Sequence, residues 1–182
     1  IPSVFSSNGD AFASHNKVPA PGEDIEVELP LTSFPPPSVI WKRYKSYRNI
    51  EDKNEGLVVQ PYHIDSSGKE PRYYQTGAIN RTIEAVARGE KRILLVMATG
   101  TGKTYTTFQI IWRLWKAKVA KRILFLVDRN ILVDQTLVND FKPFGQVMTK
   151  IKNRKIDPAY EIHLGLYQAI NGPDEEVKIF KS

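Results

Sequence analysis

The sequence from Ile93 to Thr104 is ILLVMATGTGKT. Its apolar first half, Ile93 to Ala98, predicts a buried strand, and the second half predicts a phosphate-binding loop that leads into a helix. Small residues in such a loop let backbone N–H groups turn inward around a phosphate, and the helix N-terminus adds to the attraction. Met97 stands where the consensus has a small residue, but the rest of the motif is intact. A plain Gly/Thr-rich turn between a strand and a helix is the alternative.

Helical and extended patterns alternate on both sides of this loop. Apolar residues at spacings of three and four predict a helix from Arg72 to a C-terminal cap at Gly89. A second amphipathic helix is predicted after Thr104, with Phe108, Ile111, Leu114 and Trp115 facing inward and a basic run from Lys116 to Arg122 at its end. Strands are predicted at Ile123 to Val127, buried on both faces, and at Tyr160 to Tyr167. The fold class is therefore α/β, with a parallel sheet and flanking helices.

The first forty residues have a different composition. Seven of the twelve prolines lie within residues 1–37, among Gly, Ser and Asn, which predicts a linker without regular helix or interior strand. Pro35 to Pro37 predicts a stiff extended spacer. The segment from Ser38 to Tyr44 predicts a short helix with basic and aromatic residues, which either contacts nucleic acid or, as we favour, docks on the core.

Composition bounds the class of protein further. The 182 residues suffice for one ordinary α/β core, and the chain has no cysteine for a disulfide or a thiolate metal site. The formal net charge of +6 favours a polyanionic partner, although a solvated basic surface explains it equally well. No apolar run before the loop is long enough to span a bilayer. We expect a soluble, cytoplasmic protein with no membrane partner.

Four segments resemble the first motifs of superfamily 2 helicase-like motors, in the same order along the chain. They are Pro71 to Gln75, Met97 to Thr104, Val127 to Thr136, and Leu166 to Gln168. Within that superfamily, the sequence MATGTGKT followed by LVDRNILVDQT resembles the R subunit of type I restriction-modification enzymes. The segment from Pro2 to Gly9 resembles the end of that subunit's nuclease domain. The resemblance implies a RecA-like motor lobe.

The resemblance and the loop chemistry together predict an ATP and Mg²⁺ site. Lys103 would contact the β- and γ-phosphates, and the Thr104 hydroxyl would ligate Mg²⁺. The amide of Gln75 has both a donor and an acceptor face, and the resemblance implies that it reads the adenine edge with help from Arg72. The predicted nucleotide-binding residues are Arg72, Gln75, Ala98, Thr99, Gly100, Thr101, Gly102, Lys103, Thr104 and Tyr105.

The resemblance also implies contacts with double-stranded DNA at the loops that follow the strands. The residues concerned are Asp128, Arg129, Asn130, Tyr167 and Gln168. Asn130 can equally be a helix N-cap, and core packing is an even alternative for Tyr167. The implied partners are the methyltransferase and specificity subunits of a restriction-modification complex. The implied activity is that of an ATP-dependent type I site-specific deoxyribonuclease that translocates DNA before cutting it.

Two acidic motifs of such an enzyme are missing from this sequence. Asp174 to Glu176 follows Gly172-Pro173 rather than an apolar strand, so we reject it as the Mg²⁺-binding acidic pair. Glu51-Asp52-Lys53 has the nuclease spacing but polar neighbours, which argues against a buried strand. We therefore expect residues 1–70 to be a linker and nuclease-domain tail, and residues 71–182 to be the start of the first motor lobe. An isolated fragment would be inactive. The alternatives are another superfamily 2 translocase, a small-molecule kinase, and a non-hydrolysing nucleotide-binding module.

Overall fold

The computed structural model describes residues 2–66, 68, 70–127, 141–151 and 156–167. The chain divides into two compact units, one formed by Ile1–Val58 with Glu84–Arg92 and the other by Val59–Ile83 with Ile93–Ser182. Each unit has its own three-stranded sheet.

The first unit contains an antiparallel sheet where the sequence predicted a linker. Its strands, in the order β1-β2-β3, are β1 (Ser3–Ser7), β2 (Ala11–Asn16) and β3 (Glu26–Pro30). The prediction of no interior strand is therefore wrong, because β2 pairs on both sides. The prolines do not interfere, since none lies inside β1 or β2 and Pro30 is the last residue of an edge strand. Their number suggested a linker, but their positions are compatible with a sheet.

Two helices follow this sheet in the first unit. The predicted basic helix is α1 (Pro37–Arg48), which begins with a proline in its first turn, and α2 (Glu55–Val58) comes after a short 3-10 turn. The indole Nε1–H of Trp41 donates to Glu55 Oε1 at 2.8 Å. Lys45 Nζ lies 2.7 Å from Asp52 and 2.6 Å from Glu55, and these hydrogen bonds raise the pKa of Lys45 and lower the pKa of both carboxyls. The helix thus docks within its own unit.

The second unit contains the parallel sheet that the sequence predicted. Its strands, in the order β4-β6-β5, are β4 (Ile123–Val127), β6 (Ile162–Leu166) and β5 (Met148–Lys150), and both pairings are parallel. The predicted helices are α3 (Tyr73–Ala87) and α4 (Lys103–Lys116). Gly89 has the left-handed φ of 86° expected near a helix end. The predicted α/β class with flanking helices is confirmed.

The core of this unit lies where α4 meets the sheet. Phe108 and Ile111 of α4 are buried, as predicted, whereas Leu114 and Trp115 are only partly buried. The same cluster includes Phe141, Phe144, Ile162 and Leu164. Leu124 is 45% exposed, so the prediction that β4 is buried on both faces is wrong.

The apolar segment before the loop does not form the predicted buried strand. Residues 93–98 have no strand assignment, and the side chains of Leu94 and Val96 are 88% and 83% exposed. A strand requires a neighbour to accept and donate its backbone hydrogen bonds. No strand among the described residues pairs with this segment, because the second unit's sheet consists of β4, β5 and β6. The apolar composition of this segment was therefore insufficient to predict a strand.

Candidate nucleotide-binding site

The glycine-rich loop has the backbone conformation that its sequence requires. Gly100 and Gly102 have left-handed φ angles of 80° and 82°, which side-chain-bearing residues rarely adopt. Gly102 is also the N-cap residue of α4, and no side chain caps the helix there. The first-turn N–H groups are therefore available to an anion from the direction of the loop.

The Lys103 side chain reaches back to the residues just before the glycines of the loop. Its Nζ lies 3.2 Å from the carbonyl oxygen of Ala98 and 3.5 Å from that of Met97. Thr101 tightens the loop, because its hydroxyl donates to the Ala98 carbonyl at 2.7 Å. The lysine is exposed, and within the described part of the chain its hydrogen bonds go to neutral carbonyl oxygens, so phosphate oxygens would be stronger partners for it.

Gln75 connects α3 to this loop. Its Nε2–H donates to the Thr101 carbonyl at 2.9 Å, and its Oε1 accepts the Arg72 backbone N–H at 2.9 Å. The side chain is buried, at 6% exposure. A Cβ built on Gly102 would lie 2.4 Å from Gln75 Nε2, so the close approach depends on glycine. Each amide group retains a second hydrogen-bonding position, which leaves a donor and an acceptor for a ligand.

An open pocket of about 260 Å³ lies beside the loop. It brings together residues from the start of α3, the loop and the first turn of α4, all within the second unit. The lining residues are Glu70, Arg72, Gln75, Gly100, Thr101, Gly102 and Tyr105. Of these, only Glu70 was absent from the sequence prediction. The lining therefore includes one acidic side chain, Glu70, and one basic side chain, Arg72.

Gln109, one turn beyond Tyr105 in α4, is a supporting residue that sequence reasoning missed. It is fully buried, and its amide accepts the His63 N–H at 2.9 Å and donates to the His63 carbonyl at 2.8 Å. Its Nε2 also lies 3.0 Å from the hydroxyl of Tyr105. A signal for it was present in the sequence. Thr106, Gln109 and Arg113, the buried polar residues of α4, follow one another at spacings of three and four and so share one face of the helix.

The predicted DNA-contacting residues are only partly visible. Asp128, Arg129, Asn130 and Gln168 lie outside the described residues. Tyr167 directly follows β6 and is 56% exposed. The register pairs Val127 with Leu166, so β4 and β6 end side by side at one edge of the sheet.

Neither a ready-made metal cluster nor a membrane-spanning helix occurs among the described residues. There, no group of three or more His, Asp or Glu side chains is arranged to hold a metal ion by itself. The half-buried Thr104, next to Lys103 in the first turn of α4, fits a metal that a bound triphosphate would help to ligate. None of the described helices has the length and apolar character needed to cross a membrane.

The parallel sheet, the glycine-rich loop and the helix that begins in it define a P-loop α/β protein. The family model described as the type III restriction enzyme, res subunit, matches residues 68–181. The chain is 58% identical over 181 residues to the type I restriction enzyme EcoAI endonuclease subunit of Escherichia coli, a match that covers 100% of this chain and 22% of that subunit. The UvrABC system protein B of Streptococcus uberis is 37% identical over 93 residues, covering 51% of this chain and 12% of that protein.

A solved structure agrees with these sequence matches. A fragment described as the HsdR subunit of a type I restriction enzyme from Vibrio vulnificus superposes with a TM-score of 0.73 at 36% identity, covering 97% of this chain and 31% of that one. The chain belongs to the res-subunit family of restriction enzymes, and its resemblance to the R subunits of type I enzymes is confirmed. It spans only 22% of its EcoAI relative.

Proposed function

We propose that this chain is the ATP-binding part of the first motor lobe in a DNA-translocating and DNA-cleaving restriction subunit. The observation that carries the proposal is that Gln75 and the two left-handed glycines line one pocket, with Lys103 directly after Gly102 at the start of α4. The family to which the chain belongs supports it, because its relatives include type I endonuclease subunits.

In this proposal the loop binds the phosphates of ATP. Backbone N–H groups of the first turn of α4 and the Lys103 ammonium would neutralise the β- and γ-phosphates, and the Thr104 hydroxyl would join the Mg²⁺ coordination sphere. Gln75, already bonded to Thr101, would present its free donor and acceptor to the adenine edge. The nucleotide supplies the energy of phosphoryl transfer, and this part of the chain supplies binding and orientation.

DNA would be contacted at the edge of the sheet where β4 and β6 end, through Asp128, Arg129, Asn130, Tyr167 and Gln168. These contacts would be made to the phosphate backbone, and sequence choice would lie in a separate specificity subunit. Residues 1–70 would form the tail of an upstream nuclease domain, and residues 71–182 the start of the motor lobe. The complex would act in the cytoplasm with its methyltransferase and specificity partners.

The deciding experiment is ATP hydrolysis by the intact parent subunit with its methyltransferase and specificity partners. Unmodified target DNA is compared with fully methylated DNA and with target-free DNA. Stimulation by the unmodified target alone would support the restriction motor. An ATP hydrolysis rate that is the same with and without DNA would instead support a small-molecule kinase. Nucleotide binding without turnover would support a non-hydrolysing module.

A substitution in the loop tests the nucleotide site directly. Lys103→Ala removes a charge-assisted contact worth about 1.5–3 kcal/mol, so ATP hydrolysis and translocation should be lost while the thermal unfolding temperature stays unchanged. Lys91→Ala, which removes an exposed lysine outside the loop, is the matched control and should retain full activity. Normal ATPase activity in the Lys103 variant would rule out the site.

A further inference from the structure

The basic run at the end of α4 lines an open cavity of the second unit. This cavity is larger than the nucleotide pocket. This cavity, of about 520 Å³, is formed by the C-terminal end of α4, the turn that follows it, and the segment before β6. The side chains of Lys116, Lys118, Lys121 and Arg122 line it, together with a single carboxylate, that of Glu161. The nucleotide pocket does not use any of these residues.

The charge in this cavity is not neutralised within the described part of the chain. No ion pair there involves any of the four cations. The Glu161 carboxylate accepts the indole N–H of Trp115 instead. The cavity therefore presents an excess of positive charge to a ligand.

Two of the four cations, Lys116 and Lys118, differ from ordinary surface lysines. Lys116 Nζ lies 4.7 Å from the Trp112 ring centroid and 4.8 Å from that of Trp115, close enough for cation–π attraction to both. Lys118 has a left-handed φ of 57° just after the helix, a position where glycine is the favoured residue. A lysine there adds a cation at the expense of backbone strain.

The helix macrodipole explains only part of this arrangement. A cation in the last turn of α4, such as Lys116, is favoured by the partial negative charge of the helix C-terminus. Lys118, Lys121 and Arg122 lie beyond the helix end at Lys116, where this effect fades. The Lys116 ammonium also lies over both indole rings, so base stacking is not the recognition mode that the cavity offers. Electrostatic attraction is therefore the main contribution that the cavity can make to ligand binding.

We propose that this cavity is a second DNA-contacting site, which binds backbone phosphates of double-stranded DNA. It lies where β4 and β6 begin, the edge opposite the one expected to hold the DNA-contacting loops. Because α4 has 14 residues, its two ends, the loop and the cavity, are about 20 Å apart. The inference rests on the proposed function, since duplex DNA is the polyanion that a translocating subunit handles.

The test measures the salt dependence of duplex binding by the intact parent subunit, using target-free DNA. The triple variant Lys118→Gln, Lys121→Gln and Arg122→Gln is compared with the control triple Lys17→Gln, Lys91→Gln and Arg92→Gln, which removes the same charge from exposed residues elsewhere. Each lost phosphate contact reduces the slope of log Kobs against log salt by about 0.9. We expect the cavity variant to have a slope shallower by about 2–3 than the control, with ATP binding unchanged in both.

A single substitution covers the case in which the triple variant folds poorly. Lys118→Gly removes one cation and relieves the left-handed backbone, so the slope should become shallower by about 1 without loss of thermal stability. Equal slopes for the cavity and control variants would overturn the inference. So would unchanged DNA binding with weakened assembly onto the partner subunits, which would make the cavity a protein interface. A wild-type subunit that binds no DNA would instead overturn the proposed function.

Discussion

At the scale of single residues, the loop depends on two glycines that differ in their surroundings. Both have left-handed backbones, but a Cβ on Gly100 would meet nothing within 4 Å, whereas a Cβ on Gly102 would meet the amide of Gln75. Both the backbone conformation and the close packing therefore require glycine at position 102, whereas only the backbone conformation requires it at position 100. The sequence motif does not distinguish them.

Alanine substitution separates these two reasons. Gly100→Ala should cost about 1 kcal/mol of unfolding free energy because of the left-handed φ alone. Gly102→Ala should cost about 1 kcal/mol more, because Gln75 must move and lose its hydrogen bond to Thr101. Urea unfolding of the two variants measures the difference. Equal losses would mean that the Gln75 contact contributes nothing.

At the scale of elements, buried polar groups join α4 to the chain segment before α3. Gln109 satisfies both backbone groups of His63, and the His63 ring packs 4.4 Å from the Trp112 centroid. The Arg113 guanidinium donates to Asn80 Oδ1 at 2.8 Å, which ties α4 to α3 as well. A helix face that looks hydrophilic in sequence therefore positions its neighbours.

Removing the Gln109 amide tests this role. Gln109→Leu leaves the His63 N–H and carbonyl without their partner, so the unfolding free energy should fall by about 2–4 kcal/mol. The control Thr107→Val removes only an exposed bond within α4 and should stay within about 0.5 kcal/mol. Urea unfolding and the exchange rate of the His63 amide report the effect, and a wild-type exchange rate in Gln109→Leu would contradict it.

At the scale of the whole molecule, the compact units do not follow the chain in order. Glu84–Arg92 belongs with Ile1–Val58, although α3 begins in the other unit. Within the first unit, the buried Glu84 accepts a hydrogen bond from the Tyr44 hydroxyl and lies 3.4 Å from Arg48 Nε. Burial and the bond to Glu84 raise the pKa of Tyr44. The end of α3 thus depends on residues from α1.

Truncation reveals this dependence. In the complete chain, Glu84→Leu leaves Tyr44 and Arg48 without their carboxylate and should cost about 2–3 kcal/mol. In a chain that starts at residue 59 those partners are gone, so the same substitution should cost less than about 0.5 kcal/mol. Thermal unfolding of the four proteins gives the comparison. If Glu84→Leu lowered the stability of the complete and the truncated chain equally, Glu84 would act independently of α1.

Local periodicity was enough to predict α3, α4, β4 and β6, because each pattern repeats within a few residues and reports which face is apolar. The glycine-rich loop was equally readable, since left-handed backbone and close packing demand glycine wherever they occur. The placement of the DNA-contacting loops and the boundary at residue 70 stay predictions.

Three features were decided only by tertiary structure. The sheet of β1 to β3 depends on which prolines lie outside its strands, and the segment from Ile93 to Ala98 depends on a partner strand rather than on its own composition. The burial of Gln109 depends on the distant backbone of His63. Each requires a pairing between residues far apart in sequence, and such pairings follow from packing and backbone hydrogen bonding, which no local pattern records.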